Sequence, residues 1–117
     1  MKGTEFLEVQ GAGYTGTTPE LRLLPSGTSI VNLRICVNRR WQADDGQWQS
    51  SETWVNAVFQ DELATEAMTI EKGSLIYFTG SMSQRQMNSG KTYEIKVRRW
   101  HPVGDGPRRQ EHDPLVV

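Results

Sequence analysis

Cysteine is almost absent from this chain: Cys36 stands alone among 117 residues. It has no partner for an internal disulfide, which fits a reducing compartment such as the cytoplasm. No run approaches the roughly 20 apolar residues that a bilayer span needs, so no membrane association is expected. The opening MKGTEFLEVQ carries a lysine but no apolar core and does not read as a signal peptide. Net charge is also scarce, at −1, which excludes a bulk polycation. It does not exclude nucleic acid, because the distribution of charge matters more than its sum. Cys36, His101 and His112 are too few to hold zinc. Neither HExxH nor GxSxG occurs. Ser89-Gly90-Lys91-Thr92 looks like the end of a phosphate-binding loop, but Arg85 stands where that loop needs its first glycine. Asp61 and Glu62 read as the acidic start of a helix rather than an acid–base pair. Nothing nominates an enzyme, a metal or a cofactor.

What is present is period-two patterning. The length suits one domain, whose modest core would gain from self-association. Residues 5–14 read as a strand interrupted by glycines, and the Pro- and Gly-rich TTPELRLLPSGTS as a loop. Over 28–40, Val31, Leu33, Ile35 and Val37 alternate with Asn32, Arg34, Cys36 and Asn38. Ala43-Asp44-Asp45-Gly46 is a hairpin turn. A third strand at 51–60 sets Val55, Ala57 and Phe59 against Trp54, Asn56, Val58 and Gln60. Residues 61–70 read as a short helix with Leu63, Ala67 and Ile70 on one face. Strands at 74–86, with a bend at Gly80, and at 92–103 flank a second turn, Asn88-Ser89-Gly90-Lys91. The last strand sets Tyr93, Ile95 and Val97 against Glu94, Lys96 and Arg98. The expectation is an all-β, five-stranded OB-fold barrel over 1–103, with one short helix between strands three and four. Residues 104–117 are expected to form a disordered tail.

Aromatic residues stand among basic ones. Trp54 shares a face with Asn56 and Gln60, opposite the apolar face of its strand. Trp41 follows Arg39-Arg40, and Trp48 follows the Asp-Gly turn. Such rings stack on unpaired bases whatever their sequence. Nearby arginines, Arg34 and Arg40 among them, would hold phosphates. Trp100 reads as structural. A single-strand binder is therefore expected. A protein–protein adaptor on the same fold and an RNA-binding OB domain remain alternatives, since stacking alone does not separate RNA from DNA.

A set of short stretches resembles the bacterial-type single-stranded DNA-binding proteins, the tetrameric OB-fold family. They are Gly16 with Pro19-Glu20-Leu21-Arg22, Pro25-Ser26-Gly27-Thr28, Val37-Asn38-Arg39-Arg40-Trp41, Asp45-Gly46-Gln47-Trp48, Glu52-Thr53-Trp54, Leu63-Ala64, Lys72-Gly73-Ser74-Leu75 and Thr79-Gly80. The resemblance implies a homo-oligomer, usually a tetramer, that wraps single-stranded DNA in replication, recombination and repair, in the cytoplasm with the nucleoid. Trp41 and Trp54 fall on the family's stacking positions, and Arg22, Lys72 and Arg85 on commonly basic ones. The chain departs from the pattern at Gln60 and Met87, where the family stacks aromatics, and Phe59 is expected to point inward. Binding weaker than that of a typical member is therefore expected, with Gln60 offering a hydrogen bond and Met87 a softer contact. Glu111-His112-Asp113-Pro114-Leu115-Val116-Val117 does not match the family's acidic, Phe-ended tip. Recruitment of replication or repair proteins is thus left open.

Overall fold

Val31, Leu33 and Ile35 point inward and are buried while Asn32 and Arg34 are exposed, so the alternation builds β3 (Ser29–Gln42). The computed structural model describes residues 5–107. β3 turns through Ala43–Gln47 into β4 (Trp48–Gln60). Gly46 sits at φ 85°, where a side chain would be strained. Its N–H donates to the Ala43 carbonyl at 2.9 Å, and the Gln47 N–H donates to Asp45 Oδ1 at 2.9 Å. The turn fixes one unbroken antiparallel register, from Ile30↔Gln60 to Gln42↔Trp48.

The remaining elements are β1 (Glu8–Thr15), β2 (Leu21–Leu23), α1 (Glu62–Ala67), β5 (Ser74–Met87) and β6 (Gly90–Pro107). The sheet order is β1-β5-β6-β4-β3-β2, and β1 also pairs with β3, closing a ring of five strands. β4 and β6 are parallel; the other pairs are antiparallel. This is the expected all-β architecture, with the helix in its expected place. β2 differs, since it lies inside the stretch read as a loop. Three residues between Pro19 and Pro25 are too few to show a period. The helix also ends at Ala67, and residues 68–70 continue as tighter turns whose N–H groups reach back three residues. β6 continues to Pro107, past the expected end at 103. Of the expected tail, residues 108–117 lie outside the described residues.

Inside the ring, Val31, Leu33, Ile35, Ala57, Phe59, Ile76, Phe78, Ile95 and Val97 form one core. α1 covers one end with Ala64 and Ala67. Each large side chain buried here contributes about 1.5–3 kcal/mol. Trp100 stands edge-on to Phe59, with ring centroids 6.3 Å apart, and its indole N–H donates to Glu66 Oε1 at 3.2 Å. The ring thus packs against the core.

Thr15 is buried and fully used. Its hydroxyl donates to the Glu71 carbonyl at 3.0 Å and accepts from the N–H groups of Gly73 (3.0 Å) and Ser74 (3.2 Å). One side chain thus ties the end of β1 to the start of β5. Thr15→Val keeps the volume and strips the bonds. It should cost about 2 kcal/mol, a drop of roughly 10 °C in thermal midpoint, while Thr15→Ser should retain most of the stability in the same melting experiment.

β4 and β6 pair only over Asn56↔Glu94, Ala57↔Ile95 and Val58↔Lys96. Beyond Asn56 and Glu94 the two hairpins part and run on as separate arms, to Gln42↔Trp48 and to Met87↔Gly90. Because β4 and β6 are parallel, both arms leave the same end of the ring, the one opposite α1. The radius of gyration is 16.0 Å and the extents are 52 × 31 × 28 Å, against about 13 Å for a compact chain of this size.

Candidate nucleic-acid interface

Paired residues in an antiparallel ladder share a face. The register therefore puts Asn32, Arg34, Cys36, Asn38, Arg40 and Gln42 of β3 on the outer face with their partners Val58, Asn56, Trp54, Glu52, Ser50 and Trp48 of β4. Arg34 and Trp54 are diagonal neighbours across the ladder, as are Arg40 and Trp48. The Arg34 guanidinium lies 5.0 Å from the Trp54 ring centre, and that of Arg40 lies 4.9 Å from Trp48. Trp54 is 46% and Trp48 57% exposed. Each contact contributes about 0.5–1 kcal/mol at an exposed site and restrains the ring.

Trp54 is held from a second side. A Cβ on Gly16 would stand 2.7 Å from Cζ3 and 3.0 Å from Cη2 of the indole. The Gly16 N–H donates to the Arg34 carbonyl at 2.7 Å. A side chain at this position would have to displace the indole, so the glycine leaves room for the ring to lie against the backbone.

Beside Trp54, a cleft of about 450 Å³ is lined by Thr17, Thr18, Glu20, Arg22, Asn32, Arg34 and Asn56. It brings Arg22 from β2 together with Arg34 and Asn56. Thr17 Oγ1 accepts from the Arg34 N–H at 3.3 Å, and Asn56 Nδ2 donates to Thr92 Oγ1 at 3.4 Å, bridging β4 to β6. The same outward face continues across β6 and β5 through Glu94 and Thr92 to Arg85 and Met87. Arg85 is paired with Glu94 at 3.0 Å, so part of its charge is already engaged. Met87 is exposed at the end of its arm.

The other residues singled out in the sequence lie apart from this band. Gln60 is half-buried at the far end of β4 opposite Ile30, and Phe59 beside it is buried in the core. Lys72 is exposed and lines a separate depression with Thr18, Pro19 and Met68, beyond the loop that carries Thr18. Trp41 pairs with Gln49, which puts it on the opposite face of the β3–β4 arm from Trp54 and Trp48. Arg39 lies over it at 5.6 Å.

Tyr93 is the residue that sequence reasoning placed inward with Ile95 and Val97. It shares their face, but it lies past the point where β4 and β6 part, and it is 51% exposed. Its hydroxyl accepts from Gln84 Nε2 at 3.2 Å. The polar Gln84 and Gln86 in alternate positions across the hairpin were the available sign that the core had ended.

A family model described as the single-strand binding protein family matches residues 8–101. The fold is similar to that of the Plasmodium falciparum SSB complex with ssDNA, with a TM-score of 0.76 at 18% identity, over 89% of this chain and 100% of that one. It is similar to the small single-stranded DNA-binding protein from Streptomyces coelicolor, with a TM-score of 0.74 at 19% identity, over 86% and 96%. A deletion mutant of the single-stranded DNA binding protein from Thermus aquaticus matches with a TM-score of 0.72 at 20% identity, over 83% of this chain and 50% of that one.

Proposed function

The chain belongs to the single-strand binding protein family and binds single-stranded DNA, and we propose that it holds the strand on the outer band running from Arg22 and Arg34 over Trp54 and Asn56 towards Arg85 and Met87. The observation that carries this reading is the half-exposed Trp54 ring, held between Gly16 and the Arg34 guanidinium at the rim of the cleft. A flat ring at a fixed angle gives any base a stacking partner, and the flanking arginines give its phosphates a partner. Trp48 with Arg40 repeats the arrangement about 20 Å further along β4, from the rise per residue of a strand. Gln60 and Lys72 lie apart from the band, and in this reading they would meet only a longer strand. The protein acts without catalysis, protecting single strands in replication, recombination and repair. It works as a homo-oligomer, in keeping with the family a tetramer, in the cytoplasm with the nucleoid; the recruitment of replication or repair proteins stays open, because the sequence does not match the family's acidic, Phe-ended tip. No helix of the described residues is long and apolar enough to cross a membrane. No observation favours the adaptor reading.

Titration with oligo-dT tests the proposal through tryptophan emission. Single strands should quench it strongly, and a matched duplex hardly at all, with affinity falling as salt rises. Absence of both quenching and binding, by a second probe such as fluorescence anisotropy of labelled DNA, would overturn it.

A further inference from the structure

The cleft beside Trp54 holds a group that phosphate binding does not explain. Glu20 lines it together with Arg22, Asn32, Arg34 and Asn56. A carboxylate at this place repels the phosphate backbone that the arginines attract. It is also uncommitted. Among the described residues, Arg85 and Arg98 are held by Glu94 and Glu8. The side chains of Glu20, Arg22 and Asn32 make no hydrogen bond or ion pair with any described residue. Three polar groups therefore line one cleft with their bonding capacity unused by the protein.

Their placement is set by the backbone. Glu20 and Arg22 both line the cleft, and Leu21 between them does not, as alternation into β2 requires. Two residues of extended chain set them about 7 Å apart. Asn32 and Asn56 are diagonal neighbours across β3 and β4, and Arg34 borders the cleft where it lies over Trp54. The volume of about 450 Å³ falls among small-ligand sites of roughly 300–1,000 Å³. It holds one base rather than a running strand. The part of a nucleotide that a carboxylate accepts from is a base edge with N–H donors. Guanine sets two of these, N1–H and the N2 amino group, side by side. Its O6 and N7 follow along the same rim and match an arginine fork. Adenine and cytosine place a ring acceptor next to their amino group, and thymine places one N–H between two carbonyls. Only guanine satisfies a carboxylate and a guanidinium standing next to each other.

We infer that this cleft reads guanine: Glu20 accepts from N1–H and the N2 amino group, and Arg22 donates to O6 and N7, while a neighbouring base stacks on Trp54. This rests on the single-strand reading above and adds a base preference to stacking that is otherwise indifferent to sequence.

Competition against labelled oligo-dT, followed by anisotropy with the full chain, tests this. The competitors are oligo-dT strands with isolated dG, dA or dC residues spaced along them. The dG strand should compete at least roughly fivefold better than the dA and dC strands. Inosine, which lacks the N2 amino group, and 7-deazaguanine, which lacks N7, should each lose most of that advantage. Glu20→Ala should abolish it and raise affinity for plain oligo-dT, because a negative charge leaves the phosphate path. Its melting temperature should match the parent's, since Glu20 is exposed. Equal competition by the dG, dA and dC strands, with oligo-dT still bound and tryptophan emission still quenched, would remove the guanine reading and leave the outer band standing. A dG advantage that persists in Glu20→Ala would remove it as well. Failure of every strand to bind would overturn the single-strand reading itself.

Discussion

Trp54→Ala should weaken binding to single-stranded DNA by about 1–3 kcal/mol per subunit, roughly five- to 150-fold in affinity. The ring is half-exposed, and its other surroundings are Gly16 and the Arg34 guanidinium, so its removal takes little from the core. The loss should thus appear in binding and hardly in melting. The variant also separates stacking from charge. Trp54→Ala should leave the salt dependence of affinity almost unchanged, because no phosphate contact is lost. Arg34→Gln should reduce that dependence by about one unit of slope, and it should weaken binding to all sequences alike. Trp54→Phe, which keeps a smaller aromatic face, should fall between the parent and the alanine variant. Equal affinities for parent and Trp54→Ala, measured by anisotropy at two salt concentrations, would move the strand off this face altogether.

Gly80→Ala should be the most destabilising small substitution in the ring. Gly80 is buried at an irregularity in the β5–β6 ladder, between Thr79 and Gly80. A Cβ there would collide with the Lys96 carbonyl oxygen and lie 3.0 Å from Ile95 Cγ2. The first obstacle is backbone, which has no rotamer to change, so the two strands must separate or the bulge must be rebuilt. A cost of about 3 kcal/mol follows from forced overpacking, which for a domain of this size lowers the thermal midpoint by roughly 10–20 °C. Gly11→Ala is the natural control. Its Cβ would meet the buried Phe78 ring at 3.3 Å, a contact relieved by a few tenths of an ångström rather than a collision with backbone, and its melting temperature should fall far less than that of Gly80→Ala. Similar losses at the two positions would mean that the ring closes less tightly at Gly80 than the geometry requires.

The parts of the fold that depend on local alternation were legible in the sequence. Val31, Leu33 and Ile35 could be sorted from Asn32 and Arg34 without a structure, and the Asp45-Gly46 turn announced its hairpin. Legibility ended where the strands leave the ring. Val37 and Tyr93 keep the phase of the core, yet one is half-buried and the other exposed, because a period of two reports which way a side chain points and not whether anything stands opposite it. Val58 shows the converse, being buried although it shares the outward phase of Trp54 and Asn56. Three-residue β2 was hidden among prolines, since its ladder with β3 is set by partners distant in sequence. At the site, Trp54 stood out by its phase alone. The arginine above it, the glycine beside it and the division of Trp41 from Trp54 all required the register across β3 and β4, which no single strand contains.

The parting of the arms at Asn56 and Glu94 also bears on local opening of the chain. Each arm is a two-stranded ribbon, solvated on both faces, and such ribbons have little stability of their own. The arms are therefore expected to open locally more easily than the ring below them. Amide hydrogen exchange should be fastest in the arms, and it should slow there when single-stranded DNA binds while that of the ring hardly changes.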